Sequence, residues 1–310
     1  MSRIHEALKK AAQERASQLA AGTVSDFADV GAAFESASGD KTHVDKPTVR
    51  SARASEGSSF LGFDDLLQRC AHPNWQLDPR MNVFLKTDEG RIARERFRTL
   101  RSRLYQIAAT HPLKRVLVTS SVPAEGKTTV AANLAHSIMC QPDRRVLLID
   151  ADLRASCMHQ LLGAPGGPGL SDYLRGKAEK EAVIQNGLEG NLCFIPGGSE
   201  VSNPSELLLS ERMKKLLDLV TPLFDWIILD SSPALAVHDA SNLADLCDGV
   251  LFVVKAGETD HQLAEKAALE FLKKNLLGVV LNGAELGASY GDYYSYSGYE
   301  SDDREDTDKQ

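Results

Sequence analysis

Long hydrophobic runs are missing from this chain. Nowhere in its 310 residues do about eighteen apolar residues follow one another, which excludes a helical transmembrane span. The N-terminal Met-Ser-Arg-Ile-His-Glu also lacks the apolar core of a secretion signal. Cysteine is sparse: Cys70, Cys140, Cys157, Cys193 and Cys247 are odd in number, scattered and without a Cys-x-x-Cys pair. That pattern excludes a disulfide framework and a thiolate metal site, and reads as reduced cytoplasmic thiols packed as small hydrophobes. An excess of positive charge is absent too. The net charge of −8 argues against nucleic acid as the main partner. About half of it comes from the last eleven residues, where six acids face two bases, so the remainder is near neutral.

What the chain does contain is centred on Ser121-Val-Pro-Ala-Glu-Gly-Lys-Thr-Thr129. A β-rich run, Arg115 to Ser120, precedes it, and the helical stretch Val130 to Met139 follows. Strand, tight loop and helix aim backbone N–H groups and a helix N-terminus at a phosphate. Ser121, Ala124, Glu125, Gly126, Lys127, Thr128 and Thr129 are therefore candidate nucleotide contacts. Gly126 lets the backbone approach the anion, Lys127 reaches the β/γ-phosphates, and the Thr128 hydroxyl is a ligand for Mg²⁺. The first glycine of G-x-x-x-x-G-K-[ST] is Ser121 here.

Further apolar runs recur at Arg145–Ile149, Leu192–Ile195, Trp226–Leu229, Gly249–Val254 and Leu277–Leu281. Short, nearly continuous runs suit strands covered on both faces. Helical patterns alternate with them, as at Glu206–Val220 and His261–Lys274, which predicts an α/β fold with a doubly wound, mostly parallel sheet. Ligands bind such sheets beyond the C-terminal strand ends. Asp150-Ala-Asp152-Leu-Arg154 ends one run, Asp230 another, and Asn282 closes the last. Two strands ending in aspartate beside Gly-Lys-Thr go beyond the helix caps that a single such residue suggests. Of Asp150 and Asp152, one could hold metal while the other accepts a proton from an attacking hydroxyl, and Asp230 is a further strand-end candidate for metal anchoring. Arg154 and Asn282 complete the nucleotide-side set.

The flanks differ in texture. Residues 1–20 read as an amphipathic helix with Ile4, Leu8 and Ala11 on one side. Residues 21–80 read as a flexible linker with an unassigned lead-in from Leu61, poor in large apolar residues up to about Phe60. The segment Glu95–Ile107 is a helix with Phe97, Leu100, Leu104 and Ile107 on one face and Glu95, Arg98 and Arg101 on another. That charged face reads either as solvated or as an edge that pairs with its own copy. Residues 287–310 hold five of the seven tyrosines, Tyr290, Tyr293, Tyr294, Tyr296 and Tyr299, among Gly, Ser and Asp. By composition the tail is disordered, and its exposed tyrosines are either phosphate acceptors or a sticky segment.

Together these motifs resemble the bacterial tyrosine kinases of capsule and exopolysaccharide synthesis, over about Met81 to Tyr299. The residues that carry the resemblance are the phosphate loop, Asp150-x-Asp152-x-Arg154, Asp230, Glu95-x-x-Arg98-x-x-Arg101 and the tyrosine tail. Gly169-Leu-Ser-Asp-Tyr-Leu and Asn203-Pro-Ser-Glu-Leu-Leu also look like family sequence. The resemblance implies a P-loop NTPase-like kinase domain over 81–286 that uses ATP and Mg²⁺. Lys127 would hold phosphates, Thr128, Asp152 and Asp230 would handle the metal, and Asp150 would be the base. Tail tyrosines of a neighbouring subunit in a ring would be the acceptors, and Glu95, Arg98 and Arg101 the oligomerisation motif. It further implies a membrane chain-length-determinant (polysaccharide co-polymerase) activator, a cognate tyrosine phosphatase, and a cytoplasmic kinase recruited to the inner face of the membrane. The start Met-Ser-Arg-Ile-His-Glu-Ala-Leu resembles kinases of exosortase-linked loci. One departure is Ala155-Ser156 after Arg154, where many members carry Arg-Arg-Pro. The alternative is a partitioning or positioning ATPase switch of the ParA/MinD kind. Those carry an early loop lysine where this chain has Val122, and they have no reason to keep a tyrosine cluster.

Overall fold

A computed structural model describes residues 62–78, 82, 90–187 and 191–284, all within the compact unit Ser59–Gln310. The expected helix over 1–20, the linker up to Phe60 and the tyrosine tail lie outside the described residues. Six parallel strands form one sheet: β1 (Arg115–Ser120), β2 (Val146–Asp150), β3 (Leu192–Ile195), β4 (Trp226–Asp230), β5 (Gly249–Lys255) and β6 (Leu276–Asn282). Their order is β3-β2-β4-β1-β5-β6.

Each strand is apolar almost throughout because its alternate side chains enter two different cores. Leu117, Leu147, Ile149, Ile227, Leu229 and Phe252 face one side. Val116, Val118, Val146, Leu148, Ile228 and Val253 face the other. On the first side pack α1 (Phe63–Arg69), α5 (Leu170–Leu174), α6 (Lys180–Val183), α7 (Pro204–Leu208), α8 (Glu211–Val220), α9 (Asp239–Ala244) and α10 (His261–Phe271). On the second pack α2 (Arg91–Ala108), α3 (Lys127–Met139) and α4 (Met158–Leu162). The helix α3 is buried nearly all round, from Val130 to Ile138, as befits a central helix under the sheet. No described helix is long and apolar enough to cross a membrane.

Three features depart from the sequence reading. The lead-in belongs to the core: Phe63, Leu66, Cys70 and Trp75 are buried, so the folded unit begins well before residue 81. Phe63 meets Phe224 edge to face at 5.4 Å, and Trp75 meets Phe194 at 5.9 Å. Secondly, the pattern over Glu206–Val220 is two helices. Ser210 stops the first and accepts the Met213 N–H with its side chain, starting the second. Thirdly, α10 ends at Phe271, and a single 3₁₀ turn, Leu272–Lys274, leads to Asn275 at positive φ. The segment expected over Glu95–Ile107 extends to all of α2, with Leu104 fully buried and Phe97, Leu100 and Ile107 packed beside it.

Candidate active site

The sheet topology brings the strand-end acids together. β2 and β4 are neighbours, and their register pairs Asp150 with Asp230. The strand β1 lies next to β4 and delivers the chain into the 121–126 loop. Asp152 lies just past the end of β2, which frees its side chain to turn to the loop: its Oδ2 is 2.9 Å from Lys127 Nζ. Thr128 Oγ1 donates to Asp230 Oδ2 at 2.6 Å, and Lys127 Nζ lies 3.8 Å from the same oxygen. Sequence reasoning placed Lys127, Thr128, Asp150, Asp152 and Asp230 in one site, and the structure brings them together there.

The phosphate loop is held from three sides. Gly126 takes φ +88°, in the left-handed region, and a Cβ there would lie 2.0 Å from Asn282 Nδ2. Asn282 Nδ2 in turn donates to the Glu125 carbonyl at 3.0 Å, so the end of β6 braces the loop. The Glu125 side chain is buried and accepts from two donors of the loop, Ser121 Oγ at 2.9 Å and the Val122 N–H at 2.7 Å, and from Thr259 Oγ1, beyond β5, at 2.7 Å. Expected among the nucleotide contacts, Ser121 and Glu125 thus use their side chains to tie the loop and leave its backbone to meet an anion. Thr129 lies in the first turn of α3, and Ala124 sits in the loop with φ +66°.

Arg154 departs from its expected place. Its guanidinium lies against Asp239, with Nε 2.7 Å from Oδ2, and Nη2 donates to Ser205 Oγ at 2.9 Å. Asp239 is almost fully buried, and the Arg154 guanidinium is its ion-pair partner. Arg154 thereby ties the segment after β2 to α7 and α9. Sequence reasoning missed Asp239, which reads as an ordinary first-turn acid of a helix. It also gave no role to Ser156, whose hydroxyl donates to Asp150 Oδ2 at 2.7 Å, while the Met158 N–H donates to the same oxygen at 3.2 Å. Glu95, Arg98 and Arg101 lie on α2 and take no part in the site. Of the three, Arg101 turns inward and donates to the Ser137 carbonyl, while Arg98 pairs with Glu95 at 3.1 Å in solvent.

The electrostatics are those of an anion site with surplus negative charge. Asp150, Asp152 and Asp230 are 0%, 3% and 1% exposed, with Lys127 as the ammonium among them. Burial pushes the Asp230 carboxyl up to about 7 despite Lys127. Burial also raises Asp150, against the hydrogen bonds from Ser156 and Met158. Burial alone would lower Lys127, but Asp230 and Asp152 outweigh it and hold the amine more firmly charged. Asp230 Oδ1 is buried without a partner among the described residues. An unpaired carboxylate oxygen, a hydroxyl and an excess of carboxylate fit a hard divalent cation. Thr128, Asp152 and Asp230 are the residues that would hold it.

Comparison with known proteins agrees with this geometry. A family profile described as an AAA domain matches residues 124–262. The chain is 37% identical over 216 residues to the tyrosine-protein kinase YwqD of Bacillus subtilis, covering 68% of this chain and 91% of that protein. It is 35% identical over 219 residues to the tyrosine-protein kinase Wzc of Salmonella typhimurium, spanning 69% of this chain but 30% of that longer protein. Among solved structures, the kinase domain of the Escherichia coli tyrosine kinase ETK superposes with a TM-score of 0.63 at 30% identity, covering 73% of this chain and 94% of that one. Likeness of that extent means that the chain belongs to the bacterial tyrosine-protein kinases, whose fold implies nucleotide binding.

Proposed function

We propose that the chain is an ATP- and Mg²⁺-dependent autokinase whose acceptors are its own Tyr290, Tyr293, Tyr294, Tyr296 and Tyr299, modified in trans within an oligomer. The observation that carries the reading is the buried pairing of Asp150 and Asp230 at adjacent strand ends against Lys127 and Thr128. Lys127 and the loop amides bind the phosphates. A divalent metal ion at Thr128, Asp152 and Asp230 would neutralise charge on the transferring group. Asp150, oriented by Ser156, takes the proton of the attacking tyrosine hydroxyl as its oxygen bonds to the γ-phosphorus and the bond to the ADP oxygen breaks. Burial raises its proton affinity, which makes it a stronger proton acceptor than an exposed carboxylate.

By the family resemblance, this activity serves polysaccharide polymerisation or export. A membrane co-polymerase recruits and activates the kinase at the inner face of the membrane, and a tyrosine phosphatase resets it. The test is incubation of the full chain with ATP and Mg²⁺, with mass spectrometry over residues 287–310, beside Lys127→Met. If the wild type is silent, it is repeated with a membrane fraction carrying the activator. Phosphate on the five tyrosines that vanishes in Lys127→Met is the expected result. ATP hydrolysis that needs Lys127 but leaves every tyrosine bare would overturn it in favour of a P-loop ATPase switch.

A further inference from the structure

The arginines of α2 exceed what its packing uses. The helix carries six of them, at 91, 94, 96, 98, 101 and 103, against the single acid Glu95. Arg98 pairs with Glu95, and Arg101 with Ser137. Arg96 and Arg103 are seven residues apart, so they fall on one stripe with Ile92 and Thr99, and all four are exposed. Among the described residues no carboxylate forms an ion pair with Arg96 or Arg103. Arg96 does have one partner: its Nη1 donates to the Ala284 carbonyl at 3.3 Å. Ala284 lies two residues beyond the end of β6. The chain that goes on to the tyrosines and the acidic terminus therefore sets out from this stripe.

We propose that the Arg96–Arg103 stripe is the docking surface for the acidic, tyrosine-bearing end of this same chain, residues 290–310. Charge selects the occupant. The last eleven residues hold Glu300, Asp302, Asp303, Glu305, Asp306 and Asp308 against Arg304 and Lys309. Reach permits it, because the sixteen residues from Ala284 to Glu300 span up to roughly 55 Å, whereas α2 is about 27 Å long. Guanidinium forks match carboxylates and phosphates alike, two oxygens at a time. The docking of the unmodified tail stands on its carboxylates alone. A second consequence rests on the function proposed above: each phosphotyrosine adds about −1.5 to −2 of charge, so phosphorylation tightens the hold. A phosphorylated tail is then captured on its own helix, withdrawn from the site of any neighbour, and lies alongside the Glu95–Arg98 face.

The experiment is cleavage of the dephosphorylated full chain, without nucleotide, by a protease that cuts before aspartate, following release of the 302–310 fragments by mass spectrometry. A synthetic peptide of residues 287–310 corrects for the effect of salt on the protease. At about 50 mM salt the wild-type tail is expected to be cut about fivefold more slowly than the tail of R96Q/R103Q, and the difference should vanish at about 0.5 M salt. Equal cleavage of wild type and variant at low salt overturns the proposal, and an unchanged far-UV spectrum verifies that the variant is folded. Protection should not depend on protein concentration. Protection that appears only at high concentration would overturn docking on the same chain and assign the stripe to a neighbour's tail. Because no phosphorylation is involved, the result is independent of whether these tyrosines are the kinase acceptors.

Discussion

At the scale of single residues, burial sets the chemistry more than sequence neighbours do. His136 shows this away from the active site. It lies in the last turn of α3, where the helix dipole favours a cation, yet burial pulls its pKa down from 6.5 to about 4. Its Nδ1 is 3.0 Å from Asn82 Nδ2, a contact in which the neutral ring accepts. Because the folded-state value lies below the unfolded one, the neutral ring's contribution is complete above pH 6.5 and is lost as pH falls toward 4. A shift of that size corresponds to about 3 kcal/mol. Urea denaturation at pH 7.5 and pH 4.5 should show His136→Gln losing less stability than wild type on acidification, by roughly 2–3 kcal/mol. Equal acid sensitivity in the two proteins would show that the ring is not the group responsible.

At the scale of elements, α1 tests where the domain begins. Phe63 is buried between the Phe224 ring and the Arg145 guanidinium, which lies 4.7 Å from its centroid. Truncating it removes a large core side chain, so Phe63→Ala should cost about 3–5 kcal/mol, measured by the shift in urea midpoint. A loss below about 1 kcal/mol would return the segment to linker status. In the sequence this helix was hidden. Seven residues are too few to show helical periodicity, and they follow a long Ser-, Ala-, Gly- and Asp-rich stretch whose large apolar residues are scattered without a period. The strands were legible because each is a solid apolar run, a pattern that burial on both sheet faces imposes. The acids that end β2 and β4 were legible for the same reason, since a charge closing such a run is conspicuous. What could not be read were partners set by the fold: Glu125 turned onto Ser121 and Thr259, or Arg154 onto Asp239. Those side chains are polar, and only the three-dimensional arrangement decides which donors they meet.

At the scale of the whole molecule, the proposed assembly and the packing of the monomer draw on the same helix, and the two can be separated. Arg98 and Arg101 belong to one motif but stand in different surroundings. Arg98 is exposed, and its pair with Glu95 contributes at most about 0.5 kcal/mol to the monomer. Arg101 is half-buried and caps the C-terminal turn of α3 through the Ser137 carbonyl, joining α2 to α3 in the second layer. Removing a charged donor from such a carbonyl costs about 1.5–3 kcal/mol. If the motif is the contact between copies, Arg98→Ala should lower the mass seen by light scattering while leaving the melting temperature where it was. Arg101→Ala should lower both. An Arg98→Ala protein whose mass stays unchanged, beside an Arg101→Ala protein that is merely less stable, would mean that the motif serves the packing of α2 on α3. The surface between copies would then have to be sought on another face.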